Sequence, residues 1–245
     1  AQFVQHSTVD SVTQYELWKA TWSAISETNF FELSHALGRH NDWLETFVPA
    51  TFVGNHDVNR IASTIADERH HAHALVVLFT TGGTPMIYYG DEQGFISDGN
   101  DQLAREDMFP SKVDFYNDND LLGTDATTAD DNFDTAHPLY RLIGELSQLR
   151  LSNPALKHGL TTIRGFDHEG PGLLAVERVD PETRQRVLIA FNTSGESIIR
   201  HIEVDYRARG LVSLSGSCPV SVTAPGTAKL ELPPFGWAAC ELVDR

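Results

Sequence analysis

Two different hydrophobic rhythms divide this chain, and their order limits what it can fold into. Up to about Leu151, short apolar runs alternate with longer helical stretches; beyond Ala155 only short alternating runs remain. Val9-Asp10-Ser11-Val12-Thr13-Gln14-Tyr15 alternates at period two and reads as a strand. Helical sequence follows over residues 16–25 and 30–47, where Leu33, Ala36, Leu37 and His40 share a face. Thr51-Phe52-Val53 is a second strand, ending in Gly54-Asn55-His56-Asp57. An amphipathic helix is expected over 69–80, with Ala72, Leu75, Val76 and Phe79 on one face, until Gly82-Gly83-Thr84-Pro85 breaks it. Met86-Ile87-Tyr88-Tyr89 is the third strand. Strand, helix, strand, helix, strand is the pattern of a parallel α/β layer. The strands start at residues 9, 51 and 86, intervals of 42 and 35, against roughly 30 or more residues per unit in a (β/α)8 barrel.

Residues 91–135 are irregular and acidic, too long for a simple connection, and therefore a functional loop or a partly mobile one. His137-Pro138 opens a helix carrying Leu139, Leu142, Ile143, Leu146, Leu149 and Arg150 in register, and Asn153-Pro154 ends it. Runs at 173–178, 186–192, 197–204, 211–214, 229–232 and 237–243 then predict a small antiparallel β-sandwich. The expected organisation is an α/β domain over residues 1–152 and a sandwich over 153–245.

Composition enters as an exclusion. Lys plus Arg is 18 and Asp plus Glu 34, so the formal charge is 18 − 34 = −16. Nucleic acid and anionic membranes both call for a basic face, so neither is an expected partner, and a neutral or cationic ligand suits the chain better. No apolar run approaches the roughly 18 residues of a membrane helix. The N-terminus resembles no signal peptide and lacks an initiator Met, so the chain is expected to begin elsewhere than at a natural start. Localisation stays open. Cys218 and Cys240 either pair with each other or stand as two small thiols. Asn192-Thr193-Ser194 fits a glycosylation acceptor pattern.

The stretch with most chemistry is Thr51-Phe-Val-Gly-Asn-His-Asp-Val-Asn-Arg60. A strand delivers Asn55, His56 and Asp57 at its carboxyl end, where α/β barrels carry their active sites. An Asn, a His and a carboxylate side by side can hydrogen-bond several sugar hydroxyls, and the carboxylate favours a developing oxocarbenium ion. The competing reading is a polar turn capping a helix. GNHD also occurs in binuclear metallophosphoesterases, but their other ligand segments (D-x-H, GD-x-x-D, G-H-x-H) are missing here. His70, His71 and His73 form a second cluster; it lies in the expected helix without an i, i+4 ligand pair and reads as ordinary helix histidines rather than a metal site.

Taken in order, VDSVTQYELWKATW, TFVGNHDVNRI and GTPMIYYGDEQGF resemble strands 6, 7 and 8 of the α-amylase family (glycoside hydrolase family 13), and the segment ending LELPPFGWAACEL resembles its C-terminal domain. The resemblance implies a partial (β/α)8 barrel, strands 6–8 with their helices, followed by an antiparallel β-sandwich. It implies that Asp57 stabilises the transition state, that His56, Asn55 and Arg60 are substrate-binding residues, and that Arg60 closes the site by pairing with a carboxylate. Tyr89, Asp91 and Glu92 would line or brace the strand 8 end. The nucleophile segment G-[FL]-R-x-D and the acid/base Glu segment have no counterpart, although a retaining mechanism needs two carboxyl groups about 5 Å apart. The implied reading is part of an enzyme acting on α-glucans or maltooligosaccharides and inactive alone. No cofactor is expected from this chain, since the family's calcium is held mainly by residues ahead of strand 5. The alternative is a non-catalytic binding or assembly module, with self-association through open barrel edges. Trp18, Trp22, Trp43 and Phe95 are candidates for stacking on sugar rings, though core packing explains the first three more simply.

Overall fold

The computed structural model describes residues 2–65, 67–215 and 218–244. Helices α1 (Gln2–Gln5), α2 (Tyr15–Ser26) and α3 (Phe31–Leu44) precede strand β1 (Ala50–Phe52). On α2, Leu17, Ala20, Thr21, Ala24 and Ile25 are buried, and on α3 Leu33, Ala36, Leu37 and His40 are. Both sets follow the helical repeat, which gives each helix one face to lay on the core. The first strand expected from the sequence is not formed. Only Thr13 bridges Ala50, in parallel, with Gln14 N–H donating to the Ala50 carbonyl and Ala50 N–H to that of Val12. Val9 is 46% exposed, so its alternation has no buried face to serve, and Tyr15 already belongs to α2.

A short helix α4 (Ile61–Thr64) and a 3-10 turn (Glu68–His70) lead to α5 (His71–Thr80). The amphipathic expectation for this helix is corrected. Every residue from His71 to Thr80 is buried except Ala72, which had been placed on the core face. The helix is enclosed between α2, helices α6 (Pro138–Ser152) and α7 (Pro154–His158), and a loop of the sandwich, so no side is left for water. Strand β2 (Thr84–Met86) lies two residues earlier than expected, because its parallel register on β1 pairs Ala50 with Thr84 and Phe52 with Met86. After Met86 the chain turns away at Gly90, whose φ of 90° is the left-handed region glycine tolerates. Pro85 within β2 suits an edge strand, since it donates nothing to a further neighbour. Among the described residues this parallel sheet does not close into a barrel.

Residues 91–135 form an ordered series of turns, with 3-10 turns at Asp91–Gln93 and Asp114–Tyr116 and bridges from Phe95 to Leu121 and Asp120 to Thr127. At α6, His137 caps the N-terminus by accepting from Leu139 N–H, and Pro138 occupies the first turn, where its missing N–H costs nothing.

The last third is a two-sheet antiparallel sandwich. Strands β3 (Leu160–Phe166), β4 (Leu173–Val179), β5 (Arg186–Asn192), β7 (Gly210–Ser215) and β10 (Trp237–Val243) form a sheet in the order β3-β4-β5-β10-β7; β6 (Ile198–Glu203), β9 (Thr227–Leu232) and β8 (Val220–Ala224) form the other. β3 and β8 were not expected. β3 is interrupted by a register shift at Gly165, and β8 is a mostly exposed strand at a sheet edge, so neither shows a clean alternation. β4 and β5 are buried on both faces. Leu174, Val176, Val187, Ile189 and Phe191 join the helices in one core, while Leu173, Ala175, Leu188 and Ala190 join Ile198, Ile202, Ala228 and Leu230 in a second. Cys218 and Cys240 are joined in a disulfide, with a Cα–Cα distance of 5.7 Å. Asn192 is fully buried and its Nδ2 donates to the carbonyls of Glu196 and Pro233, so the glycosylation reading of Asn192-Thr193-Ser194 is overturned.

Candidate active site

β1 ends at Phe52, and Gly54 follows so tightly against Asp91 that a Cβ there would sit 2.8 Å from the Asp91 Oδ2. The chain then opens into the turn Asn55-His56-Asp57. Asn55 holds this turn from both sides: its Oδ1 accepts from Asp57 N–H at 2.7 Å, and its Nδ2 donates to the Tyr15 hydroxyl at 3.2 Å. His56 Nε2 lies 3.4 Å from Asp57 Oδ1, and both side chains are more than half exposed. The turn therefore presents an imidazole and a carboxylate outward from the carboxyl end of a parallel strand.

Beside it, a shallow cleft of about 300 Å³ is lined by Trp18, Trp22, Asp57, Val58, Asn59 and Thr64. Trp18 stacks on Phe52 at 6.2 Å with Tyr15 edge-on to the same ring, so these aromatics also fill space behind the strand. Phe95 is fully buried against Gly90, and Trp43 packs on Phe47, away from the turn. A larger cleft, about 890 Å³, lies between α6 and the sandwich among Gln148, Asn153, Gln185 and Glu241, remote from this chemistry.

Arg60 lies beneath the turn rather than in it. Its side chain is fully buried; Nε and Nη2 donate to Glu106 Oε2 at 3.0 and 2.9 Å, and Nη1 to Asp91 Oδ1 and to the Tyr89 carbonyl. Tyr88, Tyr89 and Phe95 stack around the guanidinium, with the nearest centroid at 4.5 Å. Burial pushes the Asp91 carboxyl up to about 7, against the pull of Arg60. Glu92 accepts from Gly90 N–H and fixes that turn. Neighbouring residues of the long loop complete the clamp: Glu106 takes Arg60 while Arg105 donates to the His56 carbonyl at 2.9 Å, and Asn119 donates to Glu106 Oε1. Sequence reasoning missed Arg105, Glu106 and Asn119. They sit in an irregular segment without periodicity, and only the need of a buried Arg60 for a carboxylate could have pointed there.

His70, His71 and His73 are buried. His73 Nε2 contacts the Phe235 carbonyl at 3.0 Å and His70 packs edge-on to the Phe235 ring. Among the described residues no group of three His, Cys, Asp or Glu is placed to hold a metal ion, and no helix is long and apolar enough to cross a membrane.

Parallel strands backed by helices, a His–carboxylate turn at their carboxyl end and an antiparallel sandwich define a mixed α/β protein. Residues 1–159 match the family model described as alpha amylase, catalytic domain, and the chain belongs to that family. The alpha-amylase of Streptomyces lividans is 40% identical over 164 residues, which is 63% of this chain and 18% of that protein. A solved three-domain cyclomaltodextrin glucanotransferase superposes on 98% of this chain with a TM-score of 0.73 at 25% identity, covering 46% of its own length. AmyP, solved with maltose, shares the fold over 96% of this chain, with a TM-score of 0.69, 17% identity and 50% of its chain covered. This chain thus spans about half the length, or less, of the proteins it resembles. The family match removes the metallophosphoesterase reading.

Proposed function

We propose that residues 1–152 supply strands 6 to 8 of a (β/α)8 barrel, that 153–245 form its C-terminal sandwich domain, and that the chain carries the transition-state-stabilising part of a retaining active site for α-glucans. The observation that supports this best is the exposed Asp57 carboxylate beside His56, at the end of a strand whose parallel partner β2 bears the second matching motif.

In such a reaction a carboxylate nucleophile attacks the anomeric carbon while a carboxylic acid protonates the leaving oxygen, and a second displacement by water or a sugar hydroxyl restores the anomeric configuration. Neither group belongs to the motifs matched here. Asp57 would hold ring hydroxyls and oppose the positive charge of the oxocarbenium-like state. His56 would donate to the same sugar, and Asn55 fixes both by pinning the turn to Tyr15. Arg60, expected to bind substrate, acts instead from below: fully buried and saturated by Glu106 and Asp91, it braces the turn. The chain alone is inactive, because one carboxylate cannot serve as nucleophile and acid. Purified chain is expected to release no reducing sugar from maltooligosaccharides; release at an enzymatic rate overturns the reading. A role in assembly finds support in one feature, the exposure of Met86 in the open parallel sheet, with Tyr15 of α2 and Tyr89 beyond β2 exposed as well. Light scattering tests it, and a clean monomer counts against self-association.

A further inference from the structure

We propose that the buried pole where the helices meet the sandwich is a binding site for one small monovalent inorganic anion of halide size, held on the Nε–Nη2 edge of Arg178. Arg178, on β4, is fully buried, and its Nη1 donates to Thr161 Oγ1 at 2.5 Å. Its Nε and Nη2 are buried without a hydrogen-bond partner. Those two N–H groups form a single edge of the guanidinium, the edge that grips an anion with two parallel bonds.

Two further basic side chains, Arg150 and His40, bind the backbone of the same region. Arg150 gives Nη1 to the carbonyls of Phe79, Thr81 and Leu156, and Nη2 to that of Gly83. His40 Nε2 lies 2.8 Å from the Gly82 carbonyl. Arg178 Nη2 presses on Gly82 so closely that a Cβ there would lie 3.0 Å from it. Three basic side chains thus converge on the turn before β2. Among the described residues neither arginine has a carboxylate at ion-pair distance; the neighbouring Glu177 is taken by Arg164. Burial lowers Arg178 to about 9, with the charge of Arg150 adding to the effect, and lowers Arg150 to about 10, so both stay protonated at neutral pH. Carbonyl dipoles answer Arg150, while the Nε–Nη2 edge of Arg178 has no hydrogen-bond partner. An unpaired buried charge is among the costliest groups a fold can hold, and a counter-ion on that edge removes the cost. Full burial restricts the ion to one that is small and readily dehydrated. The inference is independent of the glucan reading.

Thermal unfolding of the purified chain at fixed pH and ionic strength, in chloride, bromide and gluconate, tests it. Expected is a Tm higher by a few degrees in the halides, saturating with halide concentration, and an Arg178→Met variant that melts alike in all three salts. Equal Tm values for the unaltered chain, or an undiminished halide response in Arg178→Met, overturn the proposal. Should that variant not fold, crystals of the unaltered chain grown in bromide decide. An anomalous peak within hydrogen-bond reach of Arg178 Nε and Nη2 supports the site, and no peak there overturns it.

Discussion

His71 turns burial without a partner into a dependence on pH. Both ring nitrogens are buried and unpartnered, and burial pushes His71 and its neighbour His73 down to about 4 from an ordinary 6.5. Between those values the unfolded chain binds more protons than the folded one, so stability is complete above about 6.5 and falls as the pH drops towards 4. The loss is on the order of 3 kcal/mol per ring. Urea melts at pH 7 and pH 5 should show it, and His71→Leu should flatten the slope. Asp91 acts in the opposite direction: raised to about 7, it contributes stability below its unfolded value that is lost as the pH rises through 7. Asp91→Asn keeps an acceptor for Arg60 and should stabilise the protein at pH 8 and less so at pH 5, as read by Tm. At this scale the sequence was legible where a motif spelled the chemistry, as at Asn55, His56 and Asp57. It was silent where chemistry depends on a partner 46 residues away in an irregular loop, as for Arg60 and Glu106.

Elements were readable wherever one period served one buried face. β5 and β10 fall where the alternating runs at 186–192 and 237–243 place them, and α3 buries the face its spacing predicts. The failures share a cause. Tertiary surroundings, not local pattern, decided that α5 is buried almost all round, that residues 9–12 touch the chain ahead of β1 without forming a strand, and that β8 forms an edge. The disulfide belongs to this scale too, since it joins β10 of the larger sheet to the segment leading into β8 of the smaller. It closes a loop with a sequence separation of 22, so replacing both cysteines with serine should cost about 3 kcal/mol. The expected readout is a lower denaturation midpoint, with an m-value no smaller than before because the unbridged unfolded chain is less compact; an unchanged midpoint would show that the bridge adds nothing.

For the whole molecule, the decisive fact is a shared core. Leu33, Leu75, Leu146 and Leu156 of the helices and Leu174, Ile189 and Phe191 of the sandwich belong to one buried cluster. The helical part and the sandwich are therefore expected to unfold together, in one calorimetric transition; two resolved transitions would contradict this. Leu174→Ala, at the centre of that junction, should lower stability by about 2–5 kcal/mol. The same buried cluster takes in Val53, between β1 and the turn bearing Asp57. The central claim is that this turn stabilises the transition state of glucan chemistry. Its most direct test is kcat for maltooligosaccharide cleavage by a polypeptide joining this chain to the family's strand 4 and strand 5 segments, with and without Asp57→Asn. The account predicts a fall in kcat of about 10²–10³-fold with the fold intact; an unchanged kcat would contradict it.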